Sequence, residues 1–158
     1  MMVEKDNDSK KMELVRLNAR HPFALRIGTG VGSEIFLAMQ QGESNTFQRL
    51  VAVKKVAALF GGGGESELIR EIRAAAGLSH PNIVRIYGAE KSGARLLVSM
   101  EYVFGHRLST LTTAMREREL QFPVPVLLRM MVQACEALHH AHSASGLDQQ
   151  PLNLVHRD

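Results

Sequence analysis

The chain has 158 residues, 45% hydrophobic and 22% charged, which is the composition of a folded globular protein and not of a disordered one. Nineteen Lys and Arg against 16 Asp and Glu leave a net charge of +3. That balance argues against a nucleic-acid partner, which needs a basic stripe, and with no Trp and only two Tyr there is little to stack bases on. A single cysteine, Cys135, excludes an internal disulfide and fits a reducing compartment; its apolar helical surroundings predict a buried, inert thiol. The N-terminal MMVEKDNDSKK lacks the apolar centre of a secretion signal, and no run reaches the roughly 18 apolar residues that cross a bilayer, so a cytoplasmic location is expected.

Residues 1–22 are charged and weakly patterned, and read as a flexible lead-in. From Phe23 the pattern is that of strands: FALRI, a glycine cluster, EIFLAM, a polar hairpin connection, then RLVAVKKVAAL. Four glycines, Gly61 to Gly64, read as a flexible connection, because each one destabilises a helix or strand. Ser66 is placed to cap a helix over 67–78, with Leu68, Ile72, Ala75 and Ala76 at helical spacing and Pro81 barring its continuation. NIVRIYGAE and RLLVSMEYV read as two further strands joined by the turn-rich KSGA. Helical periodicity follows over 108–119 and 124–143, the second opened by Pro123 and Pro125. The expected class is α+β: a small five-stranded antiparallel sheet with one helix after its third strand, followed by the start of a helical unit attached near 101–105.

Three elements of this order carry chemistry. The first is IGTGVGSEIFLA, residues 27–38, where glycines allow backbone amides to approach phosphate oxygens. A dinucleotide-binding loop would open a helix, whereas this one opens the strand-like EIFLAM, and the third glycine of G-x-G-x-x-G falls on Ser33. A Walker loop is excluded because no Lys-Ser or Lys-Thr follows a glycine loop. Taken alone, the cluster fits an ordinary glycine hairpin equally well. The second element is VAVK, Val51 to Lys54: alternation puts the small Ala52 and Lys54 on one face, and Lys55 on the other. That face would offer a flat wall for a base and a cation for phosphates, although a solvated lysine pair is the plainer reading. The third is Glu71 on the following helix, a carboxylate that can hold Lys54 charged and aimed, or else face solvent. His139 and His142 lie on one helix face, but no carboxylate or cysteine nearby in sequence completes a metal site.

Glycine loop, VAVK lysine and helix glutamate, in this order, resemble the protein kinase family. SHPNIVRIYG (79–88), MEYV (100–103), FGHRL (104–108), EALHHAHSAS (136–145) and VHRD (155–158) extend the resemblance over residues 23–158. It implies a protein-kinase-like fold with an N-lobe over 23–100, a hinge over 101–105 and the beginning of a C-lobe over 106–158. The implied roles follow position by position. Ile27, Gly28, Thr29, Gly30, Gly32 and Ser33 form the loop over the ATP phosphates. Ile35 and Ala52 sandwich the adenine, and Lys54 contacts the α- and β-phosphates while pairing with Glu71. Met100 is the gatekeeper, and the backbones of Glu101 and Val103 bond the adenine edge. Asp158 is the catalytic base, with His156 and Arg157 organising its loop. This sequence departs from the family pattern at the third loop glycine, which is Ser33, with Gly32 one residue earlier.

The resemblance implies ATP and Mg2+ as cofactors, the Mg2+ ligands falling beyond residue 158, and a protein substrate phosphorylated on Ser or Thr. A pseudokinase or nucleotide-binding regulatory module is the alternative, and a small-molecule phosphotransferase of the same fold is less well matched by HPNIV and MEYV. The 158 residues are expected to be part of a longer protein and to lack transfer activity alone, since they hold neither the metal ligands nor a substrate platform.

Overall fold

The computed structural model describes residues 14–30, 32–42, 47–57, 64–146 and 149–154. Its centre is a six-stranded antiparallel sheet in the order β1-β2-β3-β4-β6-β5. The strands are β1 (Leu14–Val15), β2 (Phe23–Gly30), β3 (Ser33–Gln41), β4 (Gln48–Ala57), β5 (Ile86–Ser92) and β6 (Arg95–Glu101). The helices are α1 (Gly64–Ala76), α2 (Leu108–Glu117) and α3 (Val124–Ser143). The class is the expected one. The strand count is six and not five, because Leu14 and Val15, inside the span read as a lead-in, pair with Leu25 and Ala24 at the sheet edge.

Each hairpin is set by its turn residues. The β2–β3 turn closes on the pair Gly30↔Ser33 with Gly32 at φ 67°, and the β5–β6 turn uses Gly93 at φ 58°, both in the left-handed region that glycine reaches without steric cost. The helix after β4 begins earlier than the Ser66 cap predicts: Gly64 is its first residue and Ser66 lies within it. It ends at Ala76, one residue before Gly77. Pro123 is the N-cap of α3, and Pro125 occupies its first turn, where a missing N–H costs no helix bond.

Alternation gives the sheet two distinct faces. Phe36, Val53 and Ser99 are cross-strand partners on one face, as are Ala38 and Val51. Ala24, Phe36, Ala38, Val51, Val53 and Leu97 form the packed core there, with Val15 and Leu17 laid over it. The chain before β2 therefore covers the back of the sheet. His21, with no exposed surface, plugs this cover. Its Nε2 lies 3.1 Å from Ser99 Oγ and 3.3 Å from Gln40 Nε2, and its Nδ1 lies 3.0 Å from Asn18 Oδ1 and 3.3 Å from Glu90 Oε1. A neutral ring carrying its proton on Nδ1 satisfies all four neighbours, donating to Asn18 and Glu90 and accepting from Ser99 and Gln40. Burial pushes the imidazole below its ordinary value, against an upward pull from Glu90 and with a smaller downward push from Arg20.

The helices attach to the sheet sparingly. Helix α1 packs on β5. Helix α3 meets the segment after α1 through the His80 and His140 rings, whose centroids are 5.1 Å apart, and through a hydrogen bond of 3.3 Å from Asn82 Nδ2 to the Gln133 carbonyl. Much of the apolar surface of α3 is solvent-facing, including Val124, Leu128 and Met131. Cys135 on α3 is exposed, not buried as its apolar neighbours predict, because those neighbours are themselves uncovered. Among the described residues no helix is long and apolar enough to cross a membrane.

Candidate active site

The sheet face opposite the packed core assembles most of the residues singled out from sequence. Register places Gly28, Ile35, Lys54 and Val98 in one cross-strand row, and Leu37, Ala52, Met100 and Ile86 in the next. Directly opposed residues project to the same side, so Ile35, Ala52, Lys54 and Met100 share a face. Ala52 and Val98 are buried there and Lys54 is exposed. Lys55 projects to the other side, where its Nζ lies 3.2 Å from Glu34 Oε2 and 5.9 Å from the centroid of the Phe36 ring. The hydrogen bond from Lys55, joined by its charge and by Arg26 at 3.4 Å, holds the Glu34 carboxyl below its usual value against an upward push from desolvation. Adjacent lysines in one strand thus have separate surroundings: Lys55 is committed to a carboxylate, while Lys54 makes no hydrogen bond or ion pair among the described residues.

The glycine loop is the tip of the β2–β3 hairpin, continuous with the row that holds Lys54. Ile27, Gly28, Thr29 and Gly30 belong to β2, and Ser33 and Ile35 to β3. A bulge between Arg26 and Gly28 shifts the register just before the tip, which turns the Ile27 side chain out of strict alternation. A Cβ at Gly30 would come within 3.2 Å of Ser33 Oγ, a tight fit that the serine in place of a third glycine creates. At Gly32 the surrounding space is open, and backbone conformation alone calls for glycine there.

After Glu101 the chain leaves the sheet and runs without regular structure to Arg107. The Glu101 amide donates to the Arg85 carbonyl at 2.8 Å, and the Glu101 carboxylate accepts from the Arg85 amide at 3.2 Å. Tyr102 and Phe104 rings meet edge to face at 4.7 Å, and Val103 and Phe104 are largely solvent-facing. The connection therefore presents its backbone beside the Met100 end of the face.

Glu71 lies on α1, partly buried, and is engaged with a neighbour other than Lys54; the pair expected of these two residues is not formed in this structure. Asp158, His156 and Arg157 lie outside the described residues, as does Val31 of the glycine loop. Among the described residues no group of three His, Cys, Asp or Glu side chains is arranged to hold a metal ion. Arg107, part of the FGHRL stretch (104–108), carries no role in the sequence reading. Its guanidinium reaches the glycine strand, so that a Cβ at Gly28 would lie 3.5 Å from Arg107 Nη2. A cation one residue before a helix carries no signal of such a contact until the fold brings the two segments together.

Comparison with known proteins gives the chain a family. The family model for the protein kinase domain matches residues 23–158. The chain is 36% identical over 141 residues to the tyrosine-protein kinase MasK of Myxococcus xanthus, covering 87% of this chain and 22% of that protein. It is 30% identical over 132 residues to the serine/threonine-protein kinase DCLK3 of Mus musculus, 84% of this chain and 15% of that one. Among solved structures, the PknI kinase domain of Mycobacterium tuberculosis superposes with a TM-score of 0.63 at 26% identity, over 83% of this chain and 52% of that chain. The chain thus spans about a fifth or less of the two curated relatives it is compared with here.

Proposed function

This chain belongs to the protein kinase domain family, and from that premise we propose that its sheet face binds ATP and that the full-length protein transfers the γ-phosphoryl group to Ser or Thr of protein substrates. The observation that carries the reading is the cross-strand arrangement of Ile35, Ala52, Lys54 and Met100 on one face, at the mouth of a glycine hairpin. A nucleotide fits these residues. Ala52 leaves a flat floor between the Leu37 and Met100 partners, the hairpin tip carries glycine at the positions nearest the face, and Lys54 is an uncommitted cation.

In this reading Ile35 and Ala52 cover one side of the adenine, and Met100 bounds the back of its pocket. The Glu101 amide is already satisfied by Arg85, so the bond expected of Glu101 falls on its carbonyl and the next on the Val103 backbone. The amides of the 28–33 loop and the Lys54 ammonium hold the phosphates. Glu71 orients Lys54 once α1 moves toward β4, a movement that the sparse attachment of α1 to β5 alone allows. ATP supplies the phosphoryl group and Mg2+ neutralises its charge, with ligands expected beyond residue 158. Asp158 accepts the proton as the acceptor hydroxyl oxygen attacks the γ-phosphorus and the bond to the β-phosphate oxygen breaks, releasing ADP.

Transfer of label from γ-labelled ATP to a mixed protein substrate, followed by phosphoamino-acid analysis, tests the reading in the full-length protein. Phosphoserine and phosphothreonine that vanish in Lys54→Met and Asp158→Asn are expected. Phosphotyrosine in their place would overturn the acceptor assignment, and nucleotide binding with no transfer in any protein substrate would replace the kinase by a nucleotide-binding regulatory module.

A further inference from the structure

We propose that Arg107 is a second cationic anchor for the nucleotide, gripping its phosphate chain from the side opposite Lys54. The proposal rests on the nucleotide reading of the cleft and adds to it a residue of the FGHRL stretch to which the sequence assigned no role. Three observations carry it. First, Arg107 stands at the N-cap of α2 with extended backbone, φ −63° and ψ 144°, and its side chain makes no cap hydrogen bond. The exposed guanidinium has no hydrogen bond or ion pair among the described residues, so its five N–H donors are open to a ligand.

Second, the guanidinium lies on the nucleotide side of the sheet. A Cβ at Gly28 would sit 3.5 Å from Arg107 Nη2 and 3.8 Å from Ile35 Cβ. Gly28, Ile35 and Lys54 are successive cross-strand partners, so that Cβ direction is the direction in which Lys54 projects. Gly28, beside which Arg107 lies, and Lys54 are therefore two strand spacings, about 10 Å, apart in one row. A ribose carrying two or three phosphates spans the gap.

Third, the contact is close. With no side chain at Gly28, the planar guanidinium can lie against the β2 backbone beneath the hairpin tip. From there it can donate paired hydrogen bonds to phosphate oxygens, which a lysine ammonium cannot do in the same fork geometry. Arg107 also links the segment after Glu101 to the glycine hairpin, so a bound phosphate chain would hold the two sides of the cleft together.

Calorimetric titration of the full-length protein with ATP, ADP and adenosine, for wild type, Arg107→Ala and Arg107→Lys, tests this. Loss of one charge-assisted contact predicts about a tenfold or greater weakening of ATP and ADP in Arg107→Ala. Adenosine should change less than twofold, and Arg107→Lys should fall between. Retained adenosine binding also certifies that the variant is folded, and Arg107→Gln is the substitute if Arg107→Ala does not fold. Unchanged ATP affinity, or an equal loss for adenosine, would overturn the proposal while leaving the nucleotide site intact. A wild-type protein that binds neither ATP nor adenosine would remove the nucleotide reading itself, and this inference with it.

Discussion

His21 offers the sharpest test of how the sheet is held. Replacing it by Phe keeps a ring of similar volume in a position with no exposed surface but deletes both ring nitrogens. Asn18 retains its bonds to the His21 amide and to Glu90, and Gln40 retains its bond from Arg49. Ser99, only 4% exposed, loses its ring partner. One buried hydroxyl left unsatisfied costs about 1–3 kcal/mol, and loss of the single Nδ1–H bond that Asn18 and Glu90 share adds about 1 kcal/mol, so the expected destabilisation is about 2–4 kcal/mol. In a domain of this size that lowers Tm by roughly 5–15 °C.

The same residue predicts a pH dependence. The imidazole is depressed from its unfolded value of 6.5, chiefly by burial. Between the folded and unfolded values the unfolded chain binds the extra proton, so stability falls as pH drops through 6.5 and levels off below the folded value. Above 6.5 the ring is neutral in both states and makes no pH-dependent difference. Thermal unfolding followed by circular dichroism at pH 7.5 and 5.5 reads both effects. His21→Phe should start lower at pH 7.5 and lose less than wild type on acidification. A variant within about 0.5 kcal/mol of wild type, or one with the wild-type pH response, would refute the assignment of His21 as a neutral buried clasp, since surface substitutions commonly fall in that range.

Two further outcomes concern the core and the hairpin. Val53→Ala, at a position with no exposed surface in the centre of the packed face, should cost about 2–3 kcal/mol through two lost methyl groups and the cavity left behind, read as a shift in chemical denaturation midpoint without a change in slope. Gly32→Val puts a β-branched residue at φ 67°, which should cost on the order of 1–2 kcal/mol and weaken ATP more than adenosine, as titration of both ligands would show.

Much of the site was legible because its signals are local. Alternation in RLVAVKKV places Lys54 and Lys55 on opposite faces, and the structure has Lys55 on Glu34 and Lys54 on the Ile35 row. The glycine cluster followed by EIFLAM reads as a hairpin, and β2 and β3 close on Gly30↔Ser33. What escaped was built by distance. A two-residue strand such as Leu14–Val15 has no period to detect. The His21 clasp draws on Asn18, Gln40, Glu90 and Ser99, which no window of sequence joins. Ser66 looks like a helix cap, yet Gly64 opens the helix two residues earlier, within the one or two residues by which helix ends fray. The Lys54–Glu71 pair depends on how close α1 stands to β4, a tertiary matter that residue spacing does not set.

The central claim is that the face bearing Lys54, and not the face bearing Lys55, receives ATP. An acyl-phosphate derivative of ATP transfers its acyl group to a lysine amine held beside the bound phosphates, and digestion with mass spectrometry locates the acylated residue. The account predicts acylation of Lys54 that excess ATP suppresses, with Lys55 unmodified behind its Glu34 pair. Equal acylation of Lys54 and Lys55, or acylation that excess ATP leaves unchanged, would contradict it.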